Sequence, residues 1–246
     1  MKSVQILILS ALLVAGCKPL STVQTAPEPD IWAIYQAAVE DAMVPTQAEI
    51  SQSLIAIQPN SPDLIWREIE GESYVLLVTW TDYEYPKLNE STTYNTGDYH
   101  IWVTASSELQ NRIGNKRYTD SHLRIAQLLG MPPNASMPYF VEFWVRPQDV
   151  FRPCPDAEID DTACGLSFPE DADSTQITWI NQLRIDSYYQ PSVQDKYPWT
   201  QLGYTYDWSP ESQDHIGLSE FVIDTGKEVY IQAVYTTVEY LEVGVR

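Results

Sequence analysis

The chain has 246 residues, with 14 Lys and Arg against 34 Asp and Glu, for a formal net charge of −20. A hydrophobic share of 44% with 20% charged residues is enough to build a core, which excludes a disordered chain and a multi-span membrane protein. The acidity excludes nucleic acid as a partner, because phosphate binding needs a basic surface. Three cysteines without zinc-finger spacing exclude a disulfide-built scaffold.

Met1-Lys2 is a short basic start, and Val4–Val14 is an apolar run interrupted only by Gln5 and Ser10, followed by Ala15, Gly16 and Cys17. This order reads as a secretory signal peptide, with an apolar run too short to span a bilayer comfortably. The string Leu13-Val14-Ala15-Gly16-Cys17 resembles the lipobox of bacterial lipoproteins. The resemblance implies cleavage before Cys17, a diacylglyceryl group on its sulfur and acylation of the new amine. Lys18 stands where the retention signal of that family places Asp, which implies the outer membrane in a host that has one. Cleavage removes Lys2 and no acid, so the body gains nothing from an anionic membrane surface and the anchor is lipid. Residues 1–16 are thus read as signal peptide and 17–29 as lipidated N-terminus and tether. Residues 30–246 form a single globular domain. The tether is rich in Pro and Thr and reaches about 35 Å at roughly 3 Å per residue.

Asp30 caps a helix whose stripe is Ile31, Ile34, Tyr35, Ala38 and Ala42, ended before Pro45. Thr46 and Glu49 have capping-box spacing, which predicts a second helix through Ile57. Leu64–Ile69 and Tyr74–Trp80 flank Glu70-Gly71 as a hairpin, and Tyr99–Ala105 is a buried strand. A helix runs from Thr119 or Asp120 to Leu129, closed by Gly130 and Pro132-Pro133. Tyr139–Val145, Ile177–Ile185, Leu202–Trp208, Leu218–Asp224 and Val229–Leu241 read as strands rich in β-branched and aromatic residues. The fold class is α+β, one domain of mostly antiparallel sheet with a few packed helices.

Cys154 and Cys164 lie ten residues apart in an exported chain and are expected to pair, for roughly 2–3 kcal/mol on the chain-entropy account. Asp156, Glu158, Asp160 and Asp161 inside that loop match no EF-hand and read as a solvated face, so no metal is assigned. Tyr204, Tyr206 and Trp208 share one face of a strand and read as core; His100, His122 and His215 are scattered. Glu142 in YFVEFWV is expected to face outward, although a buried acid there would suit glycosidase chemistry. Gly217-Leu218-Ser219-Glu220-Phe221 lacks the final glycine of a nucleophile elbow, and no phosphate or dinucleotide fingerprint occurs. No catalytic residue and no cofactor is assigned.

Several strings occur together: LRIAQLLGMPP at Leu123–Pro133, FWVRP at Phe143–Pro147 and FRPC at Phe151–Cys154. YPWT at Tyr197–Thr200, GYTYDW at Gly203–Trp208 and GLSEF complete the set. With them, residues 99–241 resemble a family of exported bacterial proteins of unknown function, a resemblance that implies no activity. Leu241 stands where that pattern has a cysteine. The expected role is a membrane-anchored envelope module that binds rather than reacts, with a carboxylate-dependent hydrolase as the alternative. Large aromatics beside Pro-rich turns place the ligand-binding expectation on exposed Tyr197 and Trp199 beside the cysteine loop, with a glycan or peptide as ligand.

Overall fold

The structure, a computed structural model, describes residues 30–242 apart from 60, 86–91 and 115. The Asp30 carboxylate accepts the Trp32 N–H and opens α1 (Ile31–Ala42), which buries Tyr35, Ala38, Val39 and Ala42 on one stripe. The second helix expected from Thr46 is only a single 3₁₀ turn, Gln47–Glu49. The capping box does form, with Glu49 accepting the Thr46 N–H and hydroxyl. Past it the 51–57 segment bonds instead to the cysteine loop, through Leu54 N–H to Thr162 O and Ile57 N–H to Ile159 O.

The hairpin is β1 (Trp66–Ile69) and β2 (Glu72–Thr81), turned at Glu70-Gly71 with both residues at positive φ. Next come β3 (Thr92–Asn95) and β4 (Ile101–Ala105), which runs directly into α2 (Ser106–Ile113). Neither β3 nor α2 was expected. α3 (Ser121–Leu128) is capped by Asp120 and closed by Gly130 at φ +66. β5 (Tyr139–Val145) and the two-residue β6 (Val150–Phe151) follow.

The segment read as a strand at 177–185 lies within α4 (Ser174–Tyr188). Asp173 caps it by accepting the Thr175 N–H, and its inward residues Trp179, Ile180, Leu183 and Ser187 recur at helical spacing. Its β-branched and aromatic composition was overridden by packing on α1, with Tyr35, Val39 and Ile180 in one cluster. β7 (Tyr204–Tyr206), β8 (Ile216–Ser219), β9 (Phe221–Ile223), β10 (Glu228–Thr236) and α5 (Thr237–Glu242) complete the chain.

Eight strands form one sheet in the order β3-β10-β5-β2-β4-β9-β6, with β1 on the first half of β2; β7 and β8 pair separately, and every pairing is antiparallel. The expected α+β class is what the structure shows. One sheet face carries Val75, Leu77, Val103, Val141, Phe143, Phe221 and Ile231. The opposite face packs Val78 and Phe140 against Leu109 and Ile113 of α2, Ile125 and Leu128 of α3, and Tyr240 of α5. A third cluster holds α1 and α4 over Tyr206 and Trp208.

Candidate functional site

β2 is paired with β5 along Val75–Thr81, but with β4 only at Leu77–Ala105 and Val78–Thr104. Beyond these two pairs the strands part, and no ladder joins Thr79–Thr81 to Ile101–Val103. A cavity of about 930 Å³ occupies the split. Val78–Thr81 form one lip and Ile101–Thr104 the other. Because Val78 and Val103 belong to opposite faces of the sheet, the cavity reaches both. α4 contributes Leu183, Asp186 and Ser187 to the wall, the end of α3 contributes Leu129–Met131, and β7 contributes Thr205 and Tyr206. Exposed Tyr83, Tyr99 and Tyr197 stand at its margin.

The wall is rich in aromatic rings, and four of its polar side chains bond elsewhere in the protein. Trp80 Nε1 donates to Thr237 Oγ1 at 2.9 Å, Trp199 Nε1 to Pro153 O at 3.2 Å and the Tyr206 hydroxyl to Asp41 Oδ2 at 2.7 Å. The Thr205 hydroxyl donates to Leu128 O and accepts the Leu218 N–H. A surface of ring faces with few free donors suits an apolar body.

Glu220 sits in the one-residue gap between β8 and β9 and lines the cavity. Its Oε2 is buried without a hydrogen-bond partner, and burial alone pushes its pKa up to about 8. Its neighbour Ser219 gives its N–H (2.9 Å) and hydroxyl (3.1 Å) to Glu108 in the first turn of α2. Burial carries Glu108 up to about 7 even against these hydrogen bonds and Arg112. Both acids keep their protons in the folded state at pH values where the unfolded chain, with its ordinary 4.5, has lost them. Folding therefore binds protons, and stability falls as pH rises from about 4.5 towards 8, then levels. Glu220→Gln is expected to leave stability near pH 5 almost unchanged and to raise it near pH 9 by on the order of 3 kcal/mol. Denaturant melts of both proteins across this range check it; parallel wild-type and variant profiles would contradict it.

The sequence-predicted site residues are placed as follows. Tyr197 is 41% exposed at the margin of the cavity. Trp199, expected on the surface, is 5% exposed and packed between Tyr188 and the α1–α4 cluster, so it forms cavity wall rather than an outer strip. Cys154 and Cys164 are joined by the expected disulfide, buried with Leu54, Leu202 and Tyr204. The Asp156, Glu158 and Asp161 carboxylates lie within 4.8 Å of one another, and Glu158 is raised chiefly by Asp156. Glu142, expected to face outward, is buried and accepts the Ser106 hydroxyl at 2.6 Å, because α2 and α5 cover its face of β5. His100 lines the cavity 3.3 Å from Asp224; His122 leans on Trp80 and His215 stacks on Tyr206. Cys17, the leader and the tether lie outside the described residues.

Glu220, Trp80 and Trp102 escaped the sequence reading. An isolated acid in the apolar run LSEFVI is the available signal, and it is masked by its place in an incomplete nucleophile-elbow pattern. No helix among the described residues is long and apolar enough to cross a membrane. Comparison with family models, curated proteins and solved structures returned no match.

Proposed function

We propose that this chain is an exported, lipid-anchored envelope protein whose domain binds a small apolar molecule in the split-sheet cavity. The cavity carries the reading. Its 930 Å³ falls in the size range of ligand pockets, its walls come from seven separate elements, β2, β3, β4, β5, β7, α2 and α4, and the donors of Trp80, Trp199 and Tyr206 are already satisfied within the protein. A glycan would need polar side chains throughout, and here exposed Tyr83, Tyr99 and Tyr197 stand at the margin while Trp80, Trp199 and Tyr206 make their hydrogen bonds elsewhere. The hydrolase reading rests on Glu220, an acid protonated at neutral pH. It needs a second carboxylate in reach, and Asp186, the other acid among the described lining residues, is exposed and takes the Gln182 amide. Binding without chemistry therefore fits better.

The test is a titration with the neutral dye N-phenyl-1-naphthylamine. Saturable dye emission with quenching of protein tryptophan is expected, and Thr79→Trp, which fills the lip, should abolish it. No saturation, or an unaltered isotherm in the variant, would remove the cavity from the proposal. The anchor is tested separately: a fatty-acid analogue should label the wild type and not Cys17→Ala.

A further inference from the structure

The described lining of the cavity carries acids and no Lys or Arg. Glu220 and Asp186 are those acids. His100, the remaining titratable base, is paired with Asp224 at 3.3 Å. An anion entering here would meet carboxylates, and the donors of Trp80, Trp199 and Tyr206 are committed elsewhere. A cation would meet the rings of Trp80, Trp102, Trp199 and Tyr206, each stacked on one side by another ring of the protein, and a π face left open attracts positive charge most strongly where water is excluded.

Glu220 supplies the second argument. A buried carboxyl oxygen without a partner is costly to keep, and the protein offers Oε2 none. A protonated amine beside it would supply the missing donor, and a quaternary ammonium, which has no N–H, would supply a compensating charge; either returns the carboxyl to its ionised form. Asp186, exposed at the margin, and a chain charge of −20 draw cations towards the opening.

Resting on the binding reading above, we propose that the ligand is a monovalent organic cation, an amine or quaternary ammonium group on an apolar body, with its charge held at Glu220 between the indole faces. The apolar body fills the split and the charged end lies at the β8–β9 junction.

Three probes of one chain length and different charge separate this inference from the reading beneath it: octyltrimethylammonium, octan-1-ol and octanoate, titrated calorimetrically below their micelle concentrations at about pH 8.5, where Glu220 is largely ionised. The cation is expected to bind roughly tenfold or more tighter than the alcohol, with octanoate weakest. In Glu220→Gln the ratio of cation to alcohol affinity should collapse towards one. Equal affinities for cation and alcohol in the wild type, tightest binding of octanoate, or a cation preference that survives Glu220→Gln would each overturn the assignment while leaving the cavity a binding site. Failure of all three probes to bind would overturn both.

Discussion

Arg152→Ala is expected to cost about 4 kcal/mol of folding stability, lowering the melting temperature by roughly 10 °C. The side chain is fully buried. Its Nε donates to Glu158 O at 3.0 Å, and Nη2 donates to Ile55 O at 3.3 Å and Asp161 O at 3.0 Å, while the guanidinium lies 5.1 Å from the Phe221 ring centre. One cation thus ties the cysteine loop to the 51–57 segment and to the sheet. Truncation leaves three carbonyls without a donor and opens a void beside Gly203, where any added Cβ would come within 2.5 Å of Arg152 Cδ. Burial lowers the pKa of Arg152, with the nearby Asp161 and Asp156 opposing. Lys at this position, with one point charge, reaches fewer of the three carbonyls and should recover only part of the loss. Urea denaturation measures both variants; a loss of under about 1 kcal/mol would show that the disulfide alone holds the loop.

Asp207→Asn is expected to cost about 3 kcal/mol and to weaken ligand binding as well. The carboxylate is 1% exposed and takes both ends of the Arg124 fork, Nη1 to Oδ1 at 2.9 Å and Nη2 to Oδ2 at 2.7 Å. Arg112 Nη2 stands 3.7 Å from Oδ2, and the Ser209 N–H reaches Oδ1 at 3.2 Å. An amide cannot receive two donors on both atoms, and it leaves two guanidinium groups facing each other across a neutral side chain. The pair joins α3 to the end of β7. The same junction carries the Trp208 indole, which donates to Met131 O at 2.9 Å. Leu129–Met131 and Tyr206 are cavity wall, so loosening the junction moves two sides of the site. Thermal melts give the first effect and the dye titration the second. Unchanged binding in a destabilised variant would show the wall to be held by the sheet alone.

The legible parts of the fold were those with a local cause. Asp30 and Asp120 announce helices by side-chain caps, Gly130 closes one, and Glu70-Gly71 sits between two apolar runs of strand period. Where burial decided, local reading failed. Ile177–Ile185 has strand composition yet lies in a helix, because Asp173 starts it and one face meets α1. Trp199 and Glu142 were read as outward-facing, and both are covered by elements distant in sequence. The cavity had no local signature at all: it exists because β2 and β4, some 20 to 30 residues apart, separate after two pairs. Tyr197 and Trp199 were nonetheless singled out from their aromatic, Pro-flanked setting, and both line it.

That separation also decides where the molecule comes apart. The pairs Leu77–Ala105 and Val78–Thr104 are the whole ladder between the half-sheet ending at β2 and the half-sheet beginning at β4. Sheets ordinarily fray at their outer strands, as β6 with its two pairs can here; this one also has two inner edges facing each other across a void, so a seam equally thin runs through the middle. Amide protons along Thr79–Thr81 and Ile101–Val103 on the cavity side should exchange with solvent deuterium well before those of β5, which is held from both sides. An occupant would bridge the halves, so its arrival would be felt as slowed exchange along both lips at once, and the empty protein would yield to unfolding as a zip opened from its centre.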